Sequence, residues 1–162
     1  METSANTSIK QVPAMTKKLI AAERIIAGDR VFDYGCGKWP ELSHAVMPYN
    51  TMYYPYDPWH QPSWITDVIL HHAEECNIVL CNNVLNVLED FSQIFPAMLW
   101  MFKSPIFYFS IYEGNKSGIG KKTSKGYQRN EKKAVYEERL GRFFHNVKKY
   151  KGGFVCTDMK GI

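Results

Sequence analysis

The 162-residue sequence has no apolar run of about 18 residues, which is the length that a membrane-spanning helix requires. Its opening segment, "METSANTSIK", lacks the charged start and apolar centre of a secretory signal peptide. These absences predict a cytoplasmic protein that does not act at a membrane. There is also no internal repeat, and the length and 45% hydrophobic content predict a single domain spanning residues 1–162.

Cysteine is scarce, and its positions do not form a metal-binding pattern. Cys36, Cys76, Cys81 and Cys156 form no CxxC pair, and no cluster of Cys, His and Asp has the spacing of a zinc site. We therefore expect reduced thiols and no bound metal.

Positive charge is concentrated toward the C-terminus. The net charge is +4, but residues 1–102 carry 6 Lys+Arg against 11 Asp+Glu, whereas residues 103–162 carry 14 against 5. A basic C-terminal third raises the local concentration of anionic partners, so a nucleic acid or a phosphorylated substrate is one expectation. The alternative is that these lysines only solubilise exposed helices and loops.

The first half of the chain alternates between helical and extended patterns. Apolar residues recur with a helical period over residues 13–26, and buried strands are predicted at residues 31–32 and 77–81. "TMYYPYD" predicts another strand, whose prolines favour a sheet edge. "ITDVI" is a candidate for a further strand.

The second half continues this alternation. "NNVLNVLEDFSQIFPAMLWMF" predicts a helix broken near Pro96, "PIFYFSIYEG" a strand, "AVYEERLGRFF" a helix, and "NVKKYKGGFVCTD" a hairpin turning at Gly152-Gly153. "NKSGIGKKTSKGYQRNEKKA" has no period and predicts a long loop. The whole pattern predicts an α/β fold with a mostly parallel twisted sheet, helices on both faces and a C-terminal antiparallel hairpin.

Polar residues and glycines follow several of the predicted strands, where open α/β sheets bind ligands. They are Asp33 with Gly35 and Gly37, then Asp57, then Asn82 and Asn83, and finally Glu113 with Gly114. The first two glycines permit a ligand to approach the backbone closely and to meet exposed N–H groups. Asp57 follows Gly37 by roughly 20 residues, the separation at which an acid commonly binds ribose hydroxyls.

Three of these segments resemble motifs of class I S-adenosylmethionine-dependent methyltransferases. "VFDYGCGK" is similar to their first motif, "YYPYDP" to their ribose-binding second strand, and "NIVLCNNVLNVLED" to their fourth strand and the helix after it. "YEGNKSGIGKKTSKGYQRN" resembles a loop of short methyltransferase-domain proteins from phages and bacteria and, more distantly, methyltransferases associated with DNA phosphorothioation. The resemblance covers roughly residues 8–158 and implies a Rossmann-like methyltransferase fold.

The same resemblance implies a binding site for S-adenosyl-L-methionine. Asp33 would lie near the methionine ammonium, Asp57 on the ribose diol, and Asn82 beside the sulfonium. The full set of implied cofactor-binding residues is Asp33, Tyr34, Gly35, Cys36, Gly37, Asp57, Pro58, Asn82, Asn83 and Val84. Asp67 is a candidate for the adenine amine, with a solvated loop acid as the alternative. Trp39 stands where the family often has a third glycine, and its ring would close over the ligand or alter the site.

The acceptor is less clearly indicated. The chain has "CNNV" where amino-group DNA methyltransferases use Asn/Asp-Pro-Pro-aromatic, and Cys81 follows Leu80 rather than the proline that precedes the cysteine of carbon-5 cytosine enzymes. Because a sulfonium is an activated leaving group, alignment supplies much of the rate. Candidate catalytic residues are Asn82, Tyr127 and Gln128. Candidate substrate-binding residues are Lys10, Gln11, Lys121, Lys122, Lys125 and Arg129.

Two functions remain open at this point. The first is a methyltransferase for a nucleic-acid or nucleotide-like acceptor, with the basic loop as a lid and Tyr127 either stacking on a base or anchoring that loop. The second is a non-catalytic S-adenosylmethionine-binding protein that acts through partners, such as a phage accessory or host-interference factor. The small size and Trp39 favour the second. The many aromatic residues are compatible with a homo-oligomer.

Overall fold

The computed structural model describes residues 9–90, 94–124 and 126–160. The strands are β1 (Arg30–Tyr34), β2 (Met52–Tyr56), β3 (Ile78–Asn82), β4 (Ile106–Ser110), β5 (Lys121–Thr123), β6 (Gly126–Gln128), β7 (Phe144–Tyr150) and β8 (Gly153–Met159). The α-helices are α1 (Ala14–Ala21), α2 (Pro40–Val46), α3 (Ser63–Leu70), α4 (Ile94–Met101) and α5 (Lys133–Leu140). Within these ranges, 3₁₀ turns lie at Ala73–Glu75 and Leu85–Val87. Within the described ranges, no helix has both the length and the apolar character needed to cross a bilayer.

Six strands form one sheet in the order β2-β1-β3-β4-β8-β7. The first four of these strands are mutually parallel, and β8 runs antiparallel to both β4 and β7. β2 lies at an edge, as its prolines predicted, and the C-terminal hairpin completes the other end. The predicted fold class, a Rossmann-like α/β fold with a mostly parallel sheet, is confirmed.

Successive residues of a strand point to opposite faces of the sheet. In these strands both sets of side chains are apolar, and helices cover both faces. Phe32 and Val79 belong to one buried cluster, which α4 and α5 complete. Val31 and Leu80 belong to a second cluster, which α1 completes. The parallel strands are therefore apolar on both sides, as buried parallel sheets require.

The segment "ITDVI" lies within α3 and is not a strand. Pro62 precedes the helix, and Ile69 and Leu70 pack against the core while Trp64 and Val68 on the same helix are exposed. This one-sided burial has the helical period, but a window of five residues is too short to distinguish it from a strand.

The N-terminal helix is shorter than its apolar period predicted. α1 ends at Ala21, and Glu23 then adopts a left-handed conformation with φ of 52°. The N–H of Arg24 donates to the Leu19 carbonyl at 2.8 Å. The buried Ile25 therefore packs from a turn, so apolar spacing continues after the helix has ended.

Pro96 does not break a helix. It is the third residue of α4, in the first turn, where a backbone N–H has no intrahelical partner. Among the described residues that the prediction included before α4, Leu85–Val87 form a 3₁₀ turn instead of part of a long helix.

Both hairpins differ from their predictions in detail. The predicted long loop contains β5 and β6, which pair antiparallel with Lys121 opposite Gln128. The C-terminal hairpin turns at Lys151-Gly152, one residue early, and Gly153 already belongs to β8. A Cβ at Gly153 would lie 1.8 Å from the Phe109 carbonyl oxygen, so that position needs glycine for close strand contact.

Candidate functional site

A cavity of about 220 Å³ lies where β1, β2 and β3 end. These strand ends are adjacent because β1 is parallel to both of its neighbours. Eight of the ten sequence-predicted cofactor residues line the cavity, namely Asp33, Gly35, Cys36, Gly37, Asp57, Asn82, Asn83 and Val84. The topology thus brings together segments that are far apart in the sequence.

Tyr34 and Pro58 are outside this lining. Tyr34 follows Asp33 in β1 and therefore points to the opposite face, where its ring packs 5.2 Å from that of Tyr56. Pro58 is exposed on the outside of the turn after β2. The prediction that these two residues contact the cofactor does not agree with their positions.

The glycine turn after β1 uses its backbone donors internally. The N–H groups of Gly35 and Cys36 donate to the Tyr56 carbonyl at 2.7 and 3.3 Å, and Gly37 N–H donates to the Asp57 carboxylate at 2.9 Å. The expectation that these N–H groups face a ligand is therefore wrong. What the turn provides is close approach, with φ of 76° at Gly35 and 77° at Gly37.

Asp57 is held rigidly although it lines the cavity. It is only 3% exposed, and its Oδ1 accepts a hydrogen bond from Trp59 N–H at 3.0 Å, which closes a turn immediately after β2. The Nδ1 of His60 lies 3.0 Å from Oδ2. Gln61 accepts the Asp57 N–H at 2.9 Å and donates to the Pro55 carbonyl, so both the backbone and the carboxylate are fixed.

Asp33 is the most unusual group in the cavity. Its side chain is 1% exposed, the Tyr53 hydroxyl donates to Oδ2 at 2.5 Å, and Oδ1 has no hydrogen-bond partner. Burial has the largest effect on the pKa of Asp33 and raises it, the Tyr53 hydrogen bond lowers it, and the charge of Asp57 raises it, which together give a pKa of about 6. A buried carboxylate oxygen without a hydrogen-bond partner raises the free energy of the folded protein. Such an oxygen therefore favours binding of a ligand that donates a hydrogen bond to it.

The asparagines after β3 form the third side of the cavity. Asn82 donates to the buried Thr16 hydroxyl at 3.2 Å and accepts from the Ser110 hydroxyl at 3.2 Å, so α1 and β4 fix its amide. Asn83 is exposed at the rim in a left-handed conformation with φ of 57°, and its N–H donates to the Ser110 carbonyl. One amide is therefore immobilised inside the cavity, and the other is available from solvent.

Two predicted catalytic residues lie elsewhere. Tyr127 and Gln128 are on β6 and are not among the residues that line the cavity. Gln128 accepts a hydrogen bond from Asn86 at 3.4 Å and donates to the Tyr112 carbonyl at 3.3 Å. A Cβ on Gly120 would lie 1.7 Å from the Tyr127 hydroxyl, which shows how closely the tyrosine covers that glycine. These contacts favour anchoring of the hairpin over catalysis.

Arg129 also has a structural position that differs from its predicted role. Its guanidinium pairs with Glu131 at 2.8 and 3.2 Å and donates to the carbonyls of Leu88, at 3.1 Å, and Glu89. The side chain is only 12% exposed. Arg129 therefore fastens the β5-β6 hairpin to the segment after β3 instead of presenting a charge to a phosphate.

The remaining predicted residues divide between the cavity and the surface. Gln11 lines the cavity, whereas Lys10 is exposed outside it. Lys121 and Lys122 are exposed on β5, and Lys125 lies outside the described residues.

Two further predictions about the cavity depend on Asp67 and Trp39. Asp67 is exposed on α3, which agrees with the solvated alternative. Trp39 is half-buried before α2 and is not part of the cavity lining, so it does not close the glycine bend.

Trp59 and His60 line the cavity and were not singled out by the sequence analysis. The turn that Asp57 caps with its own side chain brings both residues back toward the strand ends. An aspartate followed by proline at the end of a strand is a recognisable signal for such a turn. The segment "DPWHQP" contained that signal.

The lining has a distinct electrostatic character. It contains two buried carboxylates, and none of the described residues that form it is Lys or Arg. Across the described ranges, no group of three or more His, Cys, Asp and Glu is arranged to hold a metal ion. This environment suits an organic ligand that carries positive charge.

No protein-family model and no curated protein matches the sequence. Among solved structures, the chain is similar to the release-factor-specific protein-(glutamine-N5) methyltransferase from Alicyclobacillus acidocaldarius. The TM-score is 0.46 and the sequence identity 14%, over 92% of this chain and 95% of that chain. The closeness to short phage and bacterial proteins stays a prediction.

Proposed function

We propose that the cavity binds S-adenosyl-L-methionine and that the protein transfers its methyl group to a nucleic-acid or nucleotide-like acceptor. The observation that carries this proposal is the pair of buried carboxylates, Asp33 and Asp57, in a cavity whose described lining has no cation. The cofactor bears an ammonium, a sulfonium and a ribose diol. Two carboxylates at the ends of adjacent strands match those groups in charge and in hydrogen-bonding capacity.

Asp33 supplies the contact for the ammonium. Oδ2 is already occupied by the Tyr53 hydroxyl, which leaves the unpartnered Oδ1 to accept hydrogen bonds from a cation. A cation at this oxygen compensates the desolvation that raises the pKa of the carboxyl, so it stabilises the ionised form.

Asp57 supplies the contact for the ribose diol. Its Oδ1 accepts one backbone hydrogen bond, from Trp59, and retains the capacity to accept another, whereas Oδ2 accepts from Gly37 N–H and lies 3.0 Å from His60 Nδ1. The half-buried indole of Trp59 lines the same wall and offers an apolar face for a purine.

When bound, the cofactor supplies an activated methyl group on a positively charged sulfur. The chain contributes orientation, because Thr16 and Ser110 fix the Asn82 amide beside the cavity. Asn83 at the rim has both donor and acceptor capacity and can position an acceptor amine or amide. Asn82 and Asn83 are therefore the proposed active-site residues, and Gln11 also lines the cavity.

The test is transfer of radiolabel from methyl-labelled S-adenosylmethionine, with single-stranded DNA, double-stranded DNA and RNA as separate acceptors. Label is expected in at least one nucleic acid with the wild-type chain and not with Asp57→Ala. Label that enters only the protein fraction, or only small molecules other than nucleotides, would show that the proposed acceptor is wrong. Cofactor binding without any transfer would overturn catalysis and favour the non-catalytic alternative.

A further inference from the structure

A second concave region lies on the face of the sheet that α1 covers, away from the strand-end cavity. It has a volume of about 470 Å³ and is bordered by β4, β8 and β7 together with the turn after α1. Its cations are Arg24, Lys148 and Lys149, and its lining contains no acidic side chain.

The register of the C-terminal hairpin explains this composition. Asn146, Lys148 and Tyr150 alternate along β7 and therefore point to one face. Thr157 pairs with Asn146 across the hairpin and adds a hydroxyl to that face. Side chains two residues apart on a strand repeat at about 6.8 Å, which is close to the distance between successive phosphates of an extended single strand.

The positive charge here is only partly neutralised. Within the ranges that the structure describes, neither Arg24 nor Lys148 has an ion-pair partner, whereas Lys149 lies 3.3 Å from Glu137. Lys151 lies nearby, over the ring of Tyr150 at 5.7 Å.

Two acids outside the lining lie nearby, and their hydrogen bonds come from neutral donors that leave their charges in place. Asp29 accepts hydrogen bonds from Ile26 N–H and from the Asn77 side chain, both at 2.8 Å, and Asp158 accepts from Asn146. An exposed cluster of cations with donors beside it attracts a polyanion more strongly than its individual charges do.

We propose that this basic hairpin face, formed by Arg24, Asn146, Lys148 and Thr157, binds the phosphodiester backbone of a nucleic acid. Cations and neutral donors on a strand bind phosphates without reading base sequence. The face is separate from the cofactor cavity, so binding there does not depend on the function proposed above.

The position of α1 favours a polymer over a single nucleotide. Ala14 at the start of α1 lines the cofactor cavity, and Arg24, just beyond the end of the helix, lines the basic hairpin face. The eight residues of α1 extend for about 12 Å, so the two regions are separated by more than the length of one nucleotide. A polymer held at the hairpin face can span this separation, whereas a single nucleotide cannot, and this preference for a polymer rests on the proposed function.

The test measures binding of a fluorescein-labelled 20-nucleotide oligothymidine to the full chain by anisotropy, without cofactor, at several salt concentrations. The double variant Arg24→Ala/Lys148→Ala is expected to bind at least tenfold more weakly at low salt. The slope of log affinity against log salt is expected to decrease by about 1.4, because each lost phosphate contact on a single strand contributes about 0.7.

Two further variants separate this face from general charge effects. Lys103→Ala/Arg142→Ala removes the same charge from cations that pair with Glu74 and Glu138, and it is expected to retain wild-type affinity. Arg24→Lys/Lys148→Arg keeps the charge and is expected to bind like wild type. Equal losses in the two alanine pairs, or absence of oligonucleotide binding by the wild type at low salt, would overturn the proposal. Calorimetry with S-adenosylmethionine reports on the other cavity and distinguishes failure of one proposal from failure of the other.

Discussion

The Asp57 carboxylate accepts a hydrogen bond from the Gly37 backbone N–H at 2.9 Å and so links the end of β2 to the glycine turn after β1. The two residues are 20 positions apart in the sequence. This spacing is commonly associated with ribose recognition. Here it also places the carboxylate where it bonds to the backbone of the glycine turn. The carboxylate that is proposed to bind the cofactor also shapes the turn beside it.

Replacement of Asp57 by Ala is expected to weaken S-adenosylmethionine binding by about 2–3 kcal/mol, because charge-assisted hydrogen bonds to the ribose are lost. The unfolding free energy is expected to fall by about 1–2 kcal/mol, since Gly37 and Trp59 lose their acceptor. Calorimetric titration and urea unfolding measure the two effects. Asp67→Ala, at an exposed acid on α3, is the matched control and is expected to change neither. Similar affinity in both variants would contradict the role of Asp57.

Asp33 is expected to make cofactor binding depend on pH. Its pKa is raised to about 6, and only the ionised carboxylate attracts an ammonium, so affinity is expected to fall by up to tenfold per pH unit below about 6. Calorimetry between pH 5 and 8 tests this expectation. Asp33→Asn is expected to bind more weakly at pH 7 and to lose the pH dependence. Retention of the same pH profile in that variant would assign the titration to another group.

The same carboxyl is expected to affect stability in the opposite direction. Because the pKa of Asp33 is raised from 3.8 in the unfolded chain to about 6 in the folded one, the folded state binds the proton more tightly. Its contribution is therefore fully present below pH 3.8 and is lost as pH rises through about 6, by roughly 3 kcal/mol. Urea unfolding at pH 4.5 and pH 7.5 is expected to record about 2 kcal/mol of this loss, with Asp33→Asn as the reference. An identical difference in the variant would exclude Asp33 as its source.

Gly35→Ala is expected to destabilise the protein by about 2–4 kcal/mol. A Cβ there would lie 2.4 Å from Val84 Cγ2, and the φ of 76° is unfavourable for alanine. Gly28→Ala is the matched control, since φ is 88° and no atom lies within 4 Å of its added Cβ, so only about 1 kcal/mol of backbone strain is expected. Urea unfolding compares the two variants. Equal losses would mean that Val84 relaxes without cost.

Arg129→Ala is expected to loosen the β5-β6 hairpin, because the bonds to the Leu88 and Glu89 carbonyls and to Glu131 are lost. Limited trypsin digestion is expected to cut after Lys121 or Lys122 at least several-fold faster than in wild type. Arg142→Ala removes an exposed arginine that pairs with Glu138 and is expected to leave digestion unchanged. Unchanged digestion of Arg129→Ala would show that other contacts suffice to fix the hairpin.

The strand ends were the most predictable part of the molecule. Apolar strands with polar termini specified the positions of Asp33, Asp57 and Asn82, and parallel pairing brings such termini to one edge of the sheet. Side-chain alternation alone would have excluded Tyr34, which follows Asp33 and must face the other way.

The β5-β6 hairpin was the least predictable part because its contacts connect distant residues. Asn130 adopts a left-handed conformation, and its side chain accepts from Asn115 N–H and donates to the Ile119 carbonyl. Arginine is a residue type that commonly binds phosphate. The partners of Arg129, however, include backbone carbonyls that no sequence pattern identifies. Tyr127 was likewise assigned by residue type, and packing over Gly120 determines its position.

Calorimetric titration of the full chain with S-adenosylmethionine at pH 7.5 shows directly whether the two buried carboxylates bind the cofactor. We expect one cofactor per chain, with the dissociation constant raised at least tenfold in both Asp33→Asn and Asp57→Ala and unchanged in Asp67→Ala. Absence of binding to the folded wild-type chain, or equal affinity in all four proteins, would contradict this expectation.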